Sequence, residues 1–382
     1  MAQWNRVPLI DYIELIGGGT PKTTVPEYWN GNIPWLSVKD FNNDKRYVYS
    51  TEKHISQSGF ENSPTKMLHK DDIIISARGT VGEIAMILFD MAFNQSCYGI
   101  RASRGIDQPF LYYLLKNCIS QLKRMTHGSV FDTITRDTFA NIEVDIPDAE
   151  TQKRISSVLA DIDNKIEVND AINDNLHQQA ATLFKALFVD LTPFDGTMPP
   201  NWTISTLGDA TEMGAGGDKP KESSPVKTPL CPYPIYSNGI NDYGLYGYTN
   251  DPKIKVESVT VSARGTIGYV CLRHTPYVPI VRLVTLIPDT KVLSAKYLYL
   301  YLRQLHITGT GTTQQQLTVP DFRKTEIIIP DKNTMDSFTE TVTPLFEQIW
   351  ANEDENTKLA EVRDALLPKL MSGEIDVSDI QL

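Results

Sequence analysis

Two arginines sit in nearly identical surroundings 186 residues apart: Ser76-Ala77-Arg78-Gly79-Thr80-Val81-Gly82 and Ser262-Ala263-Arg264-Gly265-Thr266-Ile267-Gly268. Each string follows a β-branched run, Ile73–Ile75 or Val259–Val261, and so reads as a strand entering a tight turn. The glycines permit the turn's backbone. An arginine fixed beside such a turn presents a planar fork of donors suited to phosphate or to the O6/N7 edge of guanine. A buried structural ion pair is the competing explanation. Thr80 and Thr266 share the turns and join the candidate nucleic-acid contacts.

Two further loops recur at matched places. Residues 126–135 carry Gly128 and Ser129, and residues 309–318 carry Thr312, Gln314 and Gln315. Glutamine pairs bidentately with adenine, and hydroxyls suit bases or phosphates; a solvated linker is the alternative. Near the start of each copy, Ser37 and Lys39 follow Pro34-Trp35-Leu36, while Ser237 and Asn238 follow Pro234-Ile235-Tyr236. These polar tips after an apolar strand are candidate readers too.

Other chemistry is missing. There is no GxxxxGK[ST], HExxH, GxSxG or paired metal-ligand spacing, and the six histidines are scattered. Gly17-Gly18-Gly19 reads as a turn rather than a phosphate cradle. A nuclease-like pattern can be forced from Pro147-Asp148 and Asp163-Asn164-Lys165, but Asp163 and Lys165 flank a helix seam, where solvated charges are expected. The Asn/Asp-Pro-Pro-Tyr/Phe string of adenine methyltransferases is absent. An independent enzyme is not expected, and neither a catalytic residue nor a metal site is assigned.

The elements that must hold these turns are themselves duplicated. Tyr112–Leu115 matches Leu298–Tyr301, Phe139 and Pro147 match Phe322 and Pro330 at an offset of 183, and Trp4 and Leu9 match Trp202 and Leu207 at 198. Each copy reads as a strand-and-turn region, a short helix, a strand ending at proline, and a long helix. The expected fold is α+β, with two similar globular domains joined by two long antiparallel coiled-coil helices in a pseudo-two-fold repeat. The divisions expected are 1–148, 149–191, 192–331 and 332–382.

Both long helices show heptad spacing. The first runs Ile155, Leu159, Ile162, Ile166, Asn169, Asn173, Leu176, Ala180, Leu183, Leu187. The second runs Phe338, Val342, Leu345, Ile349, Asn352, Asn356, Leu359, Arg363, Leu366, Leu370, with Pro344 expected to bend or delay it and Pro368 near its end. The four asparagines straddle the seam midpoints, so unstaggered antiparallel pairing sets Asn169 against Asn356 and Asn173 against Asn352. Parallel pairing would match them as well. Seam asparagines fix register at a cost in stability, so leucine at 169 and 173 is expected to stabilise the helix pair and loosen its register. Thirty-three residues at 1.5 Å span roughly 50 Å.

Charge and composition set the class. The net charge of −11 over 382 residues would count against a nucleic-acid partner, but it is concentrated. Residues 1–148 and 192–331 carry −2 and +1, whereas 149–191 and 332–382 carry −3 and −7. The domains are near neutral. Four dispersed cysteines exclude a zinc ribbon or CxxC site and suit a reducing cytosol. No apolar run spans a bilayer, and no signal peptide is read, so a cytoplasmic location is expected.

The chain resembles the specificity (S) subunits of Type I restriction–modification systems over essentially its whole length. The likeness rests on IPWLSVKDF (33–41), ISARGTVG (75–82), the stretch from Gly128 through IEVDIP (142–147) into QKRI (152–155), YPIYSNGI (233–240), VSARGTIG (261–268) and LLPKLMSGEI (366–375). Two departures are Thr334-Met335-Asp336 in place of Thr151-Gln152-Lys153 and a shorter early segment in the second copy. The resemblance implies two target-recognition domains, each reading half of a bipartite site on double-stranded DNA, with the helices as a ruler of roughly 15 base pairs. It also implies two modification subunits that carry S-adenosylmethionine and the N6-adenine chemistry, in a complex that restriction subunits can join. This chain itself needs no cofactor on that reading. The competing class is a protein scaffold that binds no DNA, favoured by the acidic total.

Overall fold

The computed structural model of the chain describes residues 4–126, 133–309 and 316–377. The chain divides into two compact units, Met1–Ala171 with Asn352–Leu382, and Ile172–Ala351. Helices of ten residues or more are α1 (Gln108–Thr126), α2 (Ala149–Phe184), α3 (Ala295–Gln304) and α4 (Lys332–Met371). The boundary between units runs through α2 and α4 because each of these helices contributes part of its length to each core.

In the first unit a five-stranded sheet has the order Ile13–Gly17, Cys97–Ala102, Ile73–Ser76, Ile84–Ile87, Tyr47–Val48. A four-stranded sheet has the order Lys53–Ile55, Trp29–Leu36, Met91–Phe93, Met67–Leu68. The second unit repeats the larger sheet less one edge strand, in the order Thr211–Ala215, Val284–Pro288, Ser258–Val261, Val270–Arg273, and has a smaller sheet in the order Ser223–Ser224, Leu245–Thr249, Tyr233–Tyr236, Val278–Pro279. A separate two-stranded ladder ties the start of each copy to its closing strand, Asn5–Pro8 to Glu143–Ile146 and Thr203–Thr206 to Glu326–Ile329. The duplication read from the strings is therefore one of topology in the larger sheet, the ladder and three strands of the smaller sheet, whose fourth strand pairs with Met91–Phe93 in the first unit and with Leu245–Thr249 in the second.

The triple isoleucine at 73–75 shows why an unbroken apolar run belongs here. Successive strand side chains point to opposite faces. Ile73 and Ile75 pack with α1 residues such as Phe110 and Tyr113. Ile74 goes the other way, into a cluster with Leu36, Ile87 and Phe93. A strand covered on both faces has no polar side to alternate with.

The helices pair antiparallel within each unit. In the first, Ile155 and Leu159 share a core with Leu367, Leu370 and Met371, so the start of α2 meets the end of α4. In the second, Ala180 and Phe184 share a core with Phe338, Val342 and Phe346. Here the seam departs from the expected heptad: Leu183 is exposed, and Phe184 and Phe188 are buried instead of Leu183 and Leu187. A straight 3.6-residue helix drifts by about 20° per heptad, which brings the next residue onto the seam. A π-helical turn over Lys185–Val189 then keeps Phe188 above Phe184, ring centroids 5.3 Å apart. Phe188 also meets Trp202, Tyr297 and Phe338 edge-on or tilted at 4.9–5.6 Å.

Neither proline delays α4, which starts at Lys332 and continues through Pro344 and Pro368 to Met371. Asp331 caps it, accepting from the Asn333 and Thr334 amides, the Thr334 hydroxyl and the Trp202 indole. Asp148 caps α2 in the same way through Glu150 and Thr151. Hydrogen bonds to the charged form, led by the Thr151 amide and the Thr334 hydroxyl, hold both carboxyls below the ordinary 3.8. With the folded value depressed, their contribution to stability is present above about pH 3.8 and is lost as the pH falls through the folded value. Asp148→Asn is expected to flatten the acid limb of the stability curve, measured as melting temperature from about pH 5 down to about pH 2. At the following position Gln152 is buried and bridges the Asp107 amide and the Pro147 carbonyl, both at 2.8 Å; Met335 is buried at the matched position of the second copy.

Asn169 is almost fully buried, and its amide donates to Asn356 Oδ1 at 2.8 Å and to Glu355 at 2.7 Å. Lys165 donates to Asn169 Oδ1 at 3.1 Å and pairs with Glu355, while Asn356 donates to Asp170 at 2.9 Å. In the second unit, Asn173 Nδ2 lies 3.4 Å from the Ile349 carbonyl, and in the first unit Asn352 is buried. Because Asn169 joins a connected polar network, the stabilisation expected of leucine at this position is reversed. Asn169→Leu is expected to destabilise the first unit by about 1–2 kcal/mol, read from the urea midpoint, by leaving the half-buried Asn356 Oδ1 without its donor.

Asp163 is also buried, contrary to the solvated charge expected of it. It accepts from the Tyr113 hydroxyl at 2.6 Å and from Arg363 at 2.9 Å. Beside it the buried Arg46 is bonded to Asn164 and pairs with Glu167 at 3.2 Å. Burial raises the Glu167 carboxyl above its ordinary value, and Arg46 opposes the shift. Asp163 thus ties α2 to α1 and α4, Arg46 ties the segment before Tyr47 to α2, and Asp163 is committed to that pairing rather than exposed as a nuclease carboxylate.

Candidate nucleic-acid interface

The two arginine turns are built alike. In the first, the Gly82 amide donates to the Ser76 carbonyl at 3.0 Å and the Ser76 amide to the Glu83 carbonyl at 2.9 Å. In the second, Gly268 donates to Ser262 at 3.0 Å and Ser262 to Tyr269 at 2.9 Å. Gly79 and Gly265 lie at φ +79° and +68° with open space around them, so left-handed backbone, not crowding, demands glycine there. Serine and alanine before each arginine are buried. Arg78, Thr80, Arg264 and Thr266 are exposed.

Neither arginine forms the buried ion pair considered from the sequence. Arg78 has no side-chain partner among the described residues, and its backbone bridges to Thr133. Arg264 donates to Gln316 Oε1 at 3.0 Å on the surface. The Ala77 carbonyl accepts from Ile134, and the Ala263 carbonyl from Leu317, each at 3.0 Å. The segments that follow the two polar loops are thus fastened beside the arginines. Gly128, Ser129, Thr312, Gln314 and Gln315 lie outside the described residues.

The remaining candidates divide by what they already bind. Ser37 is half-buried, and both its amide and its hydroxyl donate to Asp40 Oδ2, at 2.7 and 2.9 Å. Lys39 is exposed, 3.9 Å from an exposed Glu52, a pair worth little in water. Ser237 donates its amide to the Gly244 carbonyl at 2.8 Å. Asn238 is a brace: Oδ1 accepts from the Ala263 amide at 2.7 Å and Nδ2 donates to the Val281 carbonyl at 2.6 Å. Its amide ties three loops together.

One turn escaped sequence reasoning. Strand registers match Asn94-Gln95-Ser96 in the first unit to Ile280-Val281-Arg282 in the second, since Cys97 pairs with Ser76, and Val284, next after Leu283, pairs with Val261. The Ser96 carbonyl accepts from Ala77 and Arg78 at 2.8 and 3.2 Å, whereas in the second unit Asn238 makes the corresponding connection. The two turns share no residue types, so no repeated string marks them. The one clue was glycine: a Cβ on Gly18 would stand 2.0 Å from the Asn94 carbonyl, and one on Gly216 2.7 Å from the Ile280 amide. Gly18 is thus a close-approach residue.

Among the described residues no group of three or more His, Cys, Asp or Glu is placed to hold a metal ion, and no helix is long and apolar enough to cross a membrane. Cys97 is buried and its thiol is pushed up to about 12 by desolvation.

A duplicated scaffold that carries an exposed arginine turn beside an unlike neighbouring turn in each unit has the form of a two-module recognition protein. Residues 1–178 and 199–361 match the family model described as the Type I restriction modification DNA specificity domain. The chain is 28% identical over 413 residues to the Type I restriction enzyme MjaIX specificity subunit of Methanocaldococcus jannaschii, covering 99% of this chain and 94% of that one. It is 26% identical over 354 residues to the HindI specificity subunit of Haemophilus influenzae, covering 70% and 77%. Its fold resembles the crystal structure of a Type I S subunit from M. genitalium, with a TM-score of 0.58 at 15% identity over 97% and 96% of the two chains. The chain therefore belongs to the Type I restriction–modification specificity family. Its role there is DNA sequence specificity, not catalysis. Specificity subunits of these systems work in complexes with methyltransferase subunits and DNA.

Proposed function

We propose that each unit reads one half of a bipartite, asymmetric site on double-stranded DNA, and that α2 and α4 set the spacing between halves. The observation that carries this reading is the solvent-facing Arg78 turn repeated as Arg264 on the same scaffold, with unlike neighbours in the two units. Like scaffolds favour a common mode of approach to the duplex. Unlike neighbours, Gln95 against Val281 and Thr133 against Gln316, favour different half-sites.

The acidic outer faces of α2 and α4 repel phosphate and suit protein partners, which we assign as two modification subunits. S-adenosylmethionine and the adenine chemistry belong to those subunits, and restriction subunits join the same complex where the system has them. Such a complex acts on the genome in the cytoplasm.

A map of N6-methyladenine in the native host, with and without this gene, tests the proposal. Loss of a single bipartite asymmetric motif on deletion is the expected result. An unchanged map in cells that express the modification subunit would sink the proposal and favour the scaffold reading.

A further inference from the structure

Val281 and Arg282 both adopt left-handed backbone, at φ +53° and +61°. That region is uncommon for any residue with a side chain and is an outlier for a β-branched one. Such strain persists only where the surroundings over-determine it. Here they do: the Val281 amide donates to the Gly217 carbonyl at 2.9 Å, Arg282 to Gly216 at 2.8 Å and Leu283 to Ile280 at 3.1 Å. The Val281 carbonyl accepts from Asn238, whose other amide atom holds the Arg264 turn through Ala263.

All of that bonding draws the main chain inward and leaves both side chains outward. Val281 is 47% exposed, so its strain serves no core packing. Arg282 is exposed and has no side-chain partner among the described residues. An apolar side chain and a free guanidinium on a braced turn, joined by one asparagine to the Arg264 turn, offer what a base edge asks for. Aliphatic groups meet the thymine methyl and arginine meets guanine acceptors.

We infer that the Val281–Arg282 turn determines sequence specificity in the second unit, reading bases beside those contacted from the Arg264 turn. The inference rests on the proposed half-site reading. The matched Gln95 turn presents an amide, accepting from the Thr20 hydroxyl, so the two modules carry different chemistry at one structural address.

The test uses the full chain expressed in its native host, with methylation motifs mapped for wild type, Arg264→Ala, Val281→Gly, Arg282→Ala and Arg282→Lys. Arg264→Ala identifies which half-site belongs to the second unit. Val281→Gly and Arg282→Ala are expected to broaden that half-site, with discrimination reduced about 5- to 150-fold, and to leave the other half unchanged. Glycine adopts this backbone without a Cβ penalty, so Val281→Gly should keep its melting temperature while losing specificity. Lysine lacks the planar fork and should not restore discrimination. Two results would overturn the inference while leaving the half-site reading intact: unchanged motifs in both variants, or a uniform loss on all sequences that lysine repairs, the mark of a phosphate contact. Absence of any bipartite motif in the wild type would instead bring down the half-site reading and this inference together.

Discussion

Replacing Arg78 with alanine is expected to relax one half of the recognised site and leave the other half intact. Arg78 stands exposed on a turn whose flanking backbone is fixed on three sides, by Glu83, Ser96 and Ile134. Little side-chain packing is lost on truncation, so the fold should survive. A bidentate guanine contact is worth about 1–3 kcal/mol of discrimination, a preference of about 5- to 150-fold. Competition binding by the assembled complex, with duplexes varied at each position of the first half-site, measures it. The salt dependence separates the two roles open to arginine. A base contact changes discrimination and leaves the slope of log affinity against log salt nearly unaltered. A phosphate contact lowers affinity for every sequence alike and reduces the slope by about one.

The largest effect on stability is expected at Arg363. Its guanidinium is 6% exposed and pairs with Asp163, itself 5% exposed, at 2.9 Å. Asp364 at 2.9 Å and Asp44 at 3.8 Å complete its surroundings. Arg363→Met leaves the Asp163 carboxylate buried with the Tyr113 hydroxyl as its remaining side-chain donor. Removing one member of a buried pair costs about 3–5 kcal/mol, because the other charge is stranded. Replacing both members with apolar residues of similar volume removes the stranded charge, so Asp163→Leu with Arg363→Met should recover most of the loss. Chemical denaturation of the two variants decides the matter. Equal destabilisation in single and double variants would mean that packing around the guanidinium, not charge, holds the site.

Several of these features were legible in the order of residues, for reasons that differ. The arginine turns were visible because both copies keep the same string, and a left-handed backbone leaves glycine little substitute. Midpoint arithmetic on two seams set Asn169 opposite Asn356, and the two side chains are hydrogen-bonded at 2.8 Å. Other features depend on groups far away in the chain. Asp163 looked like a solvated charge because its partners, Tyr113 and Arg363, lie 50 and 200 residues away. Asn238 looked like a reader, but its amide is engaged by backbone at 263 and 281. Phe184 and Phe188 are buried in place of the expected leucines, and the helix widens there into a π turn over Lys185–Val189, which heptad counting cannot anticipate. The Val281–Arg282 turn runs against local preference altogether. No pattern predicts a left-handed valine; only tertiary bonding can impose one.

The division of the long helices between the two cores has a consequence for the chain as it leaves the ribosome. The second unit is closed within one continuous stretch, Ile172–Ala351, so its core can be completed as soon as α4 has emerged to Ile349. The first unit begins at the N-terminus, yet Ile155 and Leu159 must wait for Leu367, Leu370, Met371 and Val377. Vectorial synthesis therefore finishes the later-encoded module first, although domains made in order ordinarily mature from the N-terminal end. Until the final residues appear, the nascent first module carries an uncovered apolar stripe.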